Sequence, residues 1–110
     1  MKHKYGYFSQ RQIDLTKQSI RKSIFFLLLC ADPNTKQEYQ YINVNEAFVN
    51  LLNRLGGLNK LLYEPSELVT IMSLLEQALS LYDEKDFNFK LYRKLLLDAG
   101  SEALKIKGGD

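Results

Sequence analysis

The chain has 110 residues, of which 45% are hydrophobic and 25% are charged, with six glycines and two prolines. These values are those of an ordinary folded domain, so they exclude an intrinsically disordered, collagen-like or low-complexity chain. A chain of this length folds without a stabilising disulfide or metal. We therefore expect one domain over residues 1–110, with flexible ends at residues 1–8 and 108–110.

The charges are unevenly distributed along the chain, although the net charge is only +2. Residues 1–22 carry six basic groups against one acidic group, residues 23–88 carry four against nine, and residues 89–110 carry five against three. Such asymmetry steers a partner or favours self-association. Solvated helix faces produce the same pattern, so the charges alone do not identify a partner.

The single cysteine, Cys30, lies in an apolar run and cannot form a disulfide within the chain. Apolar surroundings raise the pKa of a thiol, which predicts an inert cysteine in a reducing, cytoplasmic protein. The apolar run over residues 24–31 is shorter than the roughly 20 residues that span a bilayer, so no membrane partner is expected. Eleven lysines against four arginines indicate an AT-rich bacterial or phage genome.

The first helix is predicted to begin at Ser9, because Ser9 and Gln12 form a capping box with Phe8 and Ile13 at the staple positions. Its second half is apolar on all sides, which predicts burial on all sides, either in the core or in a subunit interface. A buried strand is the alternative for this short run. Pro33 ends the helix. The apolar stripe consists of Ile13, Ile20, Ile24, Leu27 and Ala31.

Residues 33–42 are predicted to form a loop, in which alternating Tyr39 and Tyr41 allow a short strand. Asn43 caps the second helix, in which Gly56-Gly57 costs about 2 kcal/mol relative to alanine and predicts a stop, a kink or a cap. A short turn over residues 58–62 should follow. The stripe of this helix consists of Val44, Phe48, Leu51, Leu55 and Leu58.

The third helix is predicted to begin near Pro65, and a polar turn over residues 83–86 should connect it to a fourth helix capped by Asp86. Gly100 is expected to end or bend the fourth helix, with Ser101 capping a last turn through Lys107. The stripes consist of Leu68, Ile71 or Met72, Leu75, Leu79 and Tyr82, and of Phe89, Tyr92, Leu96 and Ala99. The sequence predicts an all-α fold, a compact bundle of four main helices with short additional helical turns.

Residues for catalysis and metal binding are scarce. His3 is the only histidine, and one His with one Cys cannot form a zinc site. Glu76 lies beside a stripe and is expected to be solvated, and the acidic turn lacks the glycine and terminal glutamate of a calcium loop. Gly56-Gly57 lacks the Lys-Ser/Thr of a phosphate loop. We expect no enzyme activity, cofactor or metal.

Several apolar residues lie outside the predicted stripes, which favours a protein-interaction module. A symmetric homodimer is the commonest way to bury apolar residues that a single bundle leaves exposed. The alternative is that the stripes are wide and that these residues belong to the core. These residues are Phe26, Leu28, Leu74, Leu81, Leu91 and Leu97. The predicted self-association residues are Phe25, Phe26, Leu29 and Leu81.

Nucleic-acid binding is the alternative function. Basic and aromatic residues alternate at the start of the chain, and such residues bind single strands. If the first and fourth helices are adjacent, their basic groups form one patch, with Lys4, Arg11, Lys22 and Arg93 as its predicted members. Against this, no helix-turn-helix pattern is present and the turn between the third and fourth helices is acidic. A non-enzymatic protein-interaction module is therefore preferred.

Overall fold

Four helices account for most of the computed structural model, which describes residues 2–3, 6–7, 9–62 and 65–106. The helices are α1 (Gln10–Ala31), α2 (Val44–Leu61), α3 (Ser66–Tyr82) and α4 (Phe89–Leu104). A 3₁₀ helix, Lys36–Tyr39, follows α1, and two antiparallel strands, β1 (Lys2–His3) and β2 (Gly6–Tyr7), pair Lys2 with Tyr7 and His3 with Gly6. The predicted all-α four-helix bundle is confirmed.

The helices form a ring in chain order, in which each packs against its two neighbours and α4 closes the ring against α1. The α3–α4 pair is packed most closely and the α1–α2 pair least closely. The bundle is elongated, with extents of 44 × 22 × 21 Å. Among the described helices, none is both long and apolar enough to cross a membrane.

The start and end of α1 follow from local sequence, as predicted. Ser9 Oγ accepts from the Gln12 backbone N–H at 3.1 Å, and Gln12 Oε1 accepts from the Ser9 N–H at 2.7 Å, which completes the capping box. The helix ends at Ala31, two residues before Pro33, because proline disfavours helical geometry at the residue before it. Phe8 lies outside the described residues.

Asparagine caps both α2 and α4. Asn43 accepts from the Glu46 N–H at 3.0 Å, as predicted. The predicted Asp86 cap of α4 is wrong, because Asn88 accepts from the Leu91 N–H at 3.1 Å and the helix begins two residues later. The connection between α3 and α4 is therefore longer than predicted. Phe87, in this connection, packs against Tyr92 with ring centroids 5.1 Å apart.

The predicted helix ends and caps at glycine are wrong. α2 continues through Gly56-Gly57 to Leu61, where a separate turn was expected, and α4 continues through Gly100 and Ser101 to Leu104. Leu55 and Leu62 are buried on either side of the glycine pair, and burying such side chains contributes about 1.5–3 kcal/mol each, more than the glycines cost. At Gly100 the Phe25 ring lies 3.5 Å from the position that a Cβ would occupy.

Residues 33–42 contain no strand, because Lys36–Tyr39 forms the 3₁₀ helix instead. Tyr39 then packs edge-to-face against Phe26, with ring centroids 5.7 Å apart. The apolar run over residues 24–31 is helical, so the alternative of a buried strand is also wrong.

The core contains most residues of the four apolar stripes, and every helix contributes fully buried side chains, such as Ile24 on α1 and Phe48 on α2. The stripe residues that lie half-buried against this core are Leu58, Leu79, Tyr82 and Phe89.

Within one chain the second half of α1 is not buried on all sides: Leu29 is 36% exposed, and Phe25, Phe26 and Leu28 are half-buried. A helix in a ring of four has only two direct neighbours, so its outer face stays in contact with solvent. Burial of this face in a subunit interface stays a prediction.

Candidate interaction groove

A groove runs between α1 and α2, the neighbours that pack least closely. It contains two cavities of about 350 and 330 Å³. The first is lined by Lys22, Ser23, Phe26, Leu27, Ala47, Asn50, Leu51 and Arg54, and the second by Leu15, Thr16, Ser19, Ile20, Arg54, Leu55 and Leu58. We call these two cavities together the α1–α2 groove.

Arg54 is common to both cavities and divides the groove. Its Nη2 donates to Ser19 Oγ at 3.1 Å and to Ser23 Oγ at 3.5 Å, so the guanidinium reaches from α2 across to α1. Ser19 and Ser23 lie one turn apart on the same side of α1, which gives the guanidinium two acceptors in line. An arginine has five N–H donors, so most of them are left for another acceptor.

The groove is cationic as well as apolar. Lys22 and Arg54 both line it, and no Asp or Glu is among the described residues that line either cavity. Apolar side chains form much of the remaining wall, including Leu15, which is 55% exposed. Such a surface matches a partner that is apolar along one side and carries a negative charge.

The predicted self-association residues are brought together only in part: Phe25 and Phe26 are four and three positions before Leu29 on α1 and so neighbour it, whereas Leu81 is on α3. Phe25 packs against Gly100 on α4, with the Arg21 guanidinium 5.2 Å from its ring centroid. Phe26 packs against Tyr39 and lines the α1–α2 groove on another side of α1. Leu29 is on the partly exposed face of α1, and Leu81 is half-buried on α3, across the ring.

The predicted basic patch is brought together in part. Arg11 and Lys22 are exposed on one face of α1, about three turns apart. Arg93 is exposed on α4, which is adjacent to α1 as the prediction required. Lys22 lines the α1–α2 groove, whereas Arg93 lies two turns from Gly100, on the side of α4 that meets Phe25. Lys4 lies outside the described residues.

A second concave region lies at the end of the bundle where α1 ends. Its two cavities, of about 490 and 300 Å³, share Cys30, Lys36 and Tyr82. Burial raises the pKa of the Cys30 thiol, so this thiol stays protonated near neutral pH and is a poor nucleophile. Phe87 and Tyr82 pack edge-to-face beside it, with ring centroids 5.5 Å apart.

No motif or apolar period in the sequence marks the groove. Arg54 is one isolated base immediately before the stripe residue Leu55, so no pattern distinguishes it. The sequence feature that relates to the groove is the pair Ser19 and Ser23, two polar residues one turn apart beside the α1 stripe. Glu76 is exposed, as predicted, and the described residues include no group of three or more His, Cys, Asp or Glu that could hold a metal ion.

Comparison of the chain with protein-family models, with curated protein sequences and with solved structures finds no match.

Proposed function

We propose that this chain is a non-enzymatic, cytoplasmic protein-interaction module that binds a partner protein in the α1–α2 groove. The observation that carries this proposal is Arg54, which two serine hydroxyls hold between two cavities of similar volume. Because the guanidinium is already positioned, binding costs less of its conformational entropy. The cytoplasmic location is supported by the single free cysteine.

The size of the groove favours a protein segment over a small molecule. Its lining extends from Leu15 to Leu27 on α1 and from Ala47 to Leu58 on α2. At about 1.5 Å per residue, the groove is roughly 16–18 Å long, which is the length of about three helical turns. A small ligand would fill one cavity and leave the other open.

The test is capture of partners from the host lysate with the wild-type chain and three variants. Arg54→Glu reverses the central charge, Ala47→Trp fills the first cavity, and Lys60→Glu makes the same charge change on α2 outside the groove. We expect a partner that the wild type and Lys60→Glu retain equally and that the two groove variants retain at least tenfold less. Equal retention by all four chains would contradict the proposal.

Light scattering of the purified chains tests the predicted homodimer in the same series. A monomer that still captures the partner supports a different protein as the occupant of the groove. A dimer that Arg54→Glu dissociates would instead make a second copy the occupant. Self-association stays a prediction until this measurement is made.

Nucleic-acid binding is a second candidate, favoured by the adjacency of α1 and α4. Together these two helices carry seven basic side chains against three acidic ones, whereas α2 and α3 together carry two basic and three acidic side chains. If this candidate is correct, Arg93→Glu should weaken binding of a single-stranded oligonucleotide, and binding should fall steeply between about 50 and 200 mM salt. An absence of binding at the lower salt concentration would exclude it.

A further inference from the structure

The α1–α2 groove has a repeat of seven residues. On α1, Leu15, Thr16, Ser19 and Ile20 line the second cavity, and the residues seven positions later, Lys22, Ser23, Phe26 and Leu27, line the first. On α2, Ala47 and Leu51 in the first cavity are likewise seven positions before Arg54 and Leu58 in the second. The two cavities therefore lie about 10.5 Å apart along the groove, with Arg54 between them.

From this repeat we infer that the groove binds an acidic amphipathic helix of a partner protein. The partner helix places apolar side chains at positions i and i+7, one in each cavity, and a carboxylate at i+3 or i+4 against Arg54. This inference rests on the proposed function and names the chemistry of its partner. It follows from three features of the groove: its spacing, its positive charge and the backbone of its walls.

The spacing selects a helix. Residues i and i+7 of an α-helix lie two turns apart on one face, at about 10.5 Å, which is the separation of the cavities. The walls are helices whose backbone N–H and C=O groups are paired internally, so an extended peptide could not add to them as a strand. Recognition must therefore occur through side chains, as when an amphipathic helix enters a groove.

The charge selects a carboxylate between the two apolar anchors. Residues i+3 and i+4 lie on the same face as i and i+7, midway between them. A carboxylate there meets the guanidinium that Ser19 and Ser23 hold, and an arginine binds carboxylates with two parallel hydrogen bonds. Lys22 adds a second positive charge at the first cavity. No lining carboxylate opposes this pairing among the described residues.

The test uses three synthetic helical peptides of about four turns that differ at one position. Each has leucine at i and i+7 in a neutral, alanine- and glutamine-rich sequence, with glutamate, glutamine or lysine at i+4. Fluorescence anisotropy measures their binding to the wild type, to Arg54→Glu and to the matched control Lys60→Glu. Circular dichroism establishes that both variants keep the helical content of the wild type.

We expect the glutamate peptide to bind the wild type and Lys60→Glu at least tenfold more tightly than the glutamine peptide does. Arg54→Glu should no longer bind the glutamate peptide and should instead bind the lysine peptide. A nonspecific apolar contact would not produce this reversal of charge preference. Equal binding of the three peptides, or no binding of any, would overturn the inference. If lysate capture still depends on Arg54 in that case, the proposed function stands and only the acidic helix is wrong.

Discussion

Replacing Phe48 with alanine is expected to lower the free energy of unfolding by about 3–5 kcal/mol. Phe48 is fully buried in α2, and its ring centroid lies 6.2 Å from that of Tyr92 on α4, on the opposite side of the ring of helices. The alanine leaves a cavity where α2 and α4 contact each other across the centre of the bundle. Because domains of this size are stable by only about 5–15 kcal/mol, the loss would be a large part of the total.

The neighbouring residue provides the matched control. Val49 is 48% exposed on the same helix, so Val49→Ala removes little buried surface and should change the free energy of unfolding by no more than about 0.5 kcal/mol. Urea denaturation followed by circular dichroism measures both variants. Similar values for Phe48→Ala and Val49→Ala would contradict the placement of Phe48 at the centre of the core.

The parts of the fold that local interactions determine were predictable from the sequence. The Ser9 and Asn43 caps involve residues only three positions apart, so their spacing in the sequence specifies the hydrogen bonds directly. The apolar stripes are similarly local, since a period of 3.6 residues puts their members on one face. Ile13, Ile20 and Ile24 are accordingly among the most buried residues.

The helix ends that depend on tertiary packing were not predictable. Gly56-Gly57 and Gly100 have weak helix propensity, yet Leu62 and Ala103 beyond them are buried, so the core stabilises the last turns. The start of α4 is different, because it has a local signal. With Asn88 as the cap, Phe87 and Tyr92 occupy the two hydrophobic-staple positions and pack against each other, and the prediction of Asp86 as the cap overlooks this pair.

The candidate site was the least predictable feature, because its residues are distant in the sequence. Arg54 donates to hydroxyls 35 and 31 positions earlier in the chain. Periodicity identifies the buried face of a helix but not which helix lies beside it. The seven-residue repeat became visible only once α1 and α2 were placed side by side with Arg54 between the two cavities.

Tyr92→Phe is expected to cost about 1 kcal/mol at neutral pH and to remove part of the sensitivity of the fold to alkali. Tyr92 is fully buried, and its hydroxyl donates to the backbone carbonyl oxygen of Leu27 at 2.8 Å. Phenylalanine keeps the ring and its contacts with Phe48 and Phe87, so the variant isolates the hydroxyl. The hydrogen bond also links α4 to α1 at the closure of the ring.

The alkaline effect follows from the direction of the pKa shift. Burial, with smaller contributions from Cys30 and Tyr82, raises the pKa of Tyr92 well above its ordinary value of about 10. As the pH rises past 10, the unfolded chain loses this proton first, so the folded state binds more protons. The free energy of unfolding then falls with pH, by up to about 1.4 kcal/mol per pH unit from this group.

The difference in stability between the two chains should therefore shrink as the pH rises. The wild type should be more stable than Tyr92→Phe near pH 7, and the two should converge near pH 11, where the cost of keeping the phenol neutral offsets its hydrogen bond. Burial also raises the pKa of Cys30. This shift likewise lowers the free energy of unfolding as the pH rises above about 8.5. Cys30→Ala removes this contribution and serves as the control. Urea denaturation at several pH values measures all three chains. A constant difference between wild type and Tyr92→Phe from pH 7 to 11 would show that the buried phenol does not cause the alkaline loss.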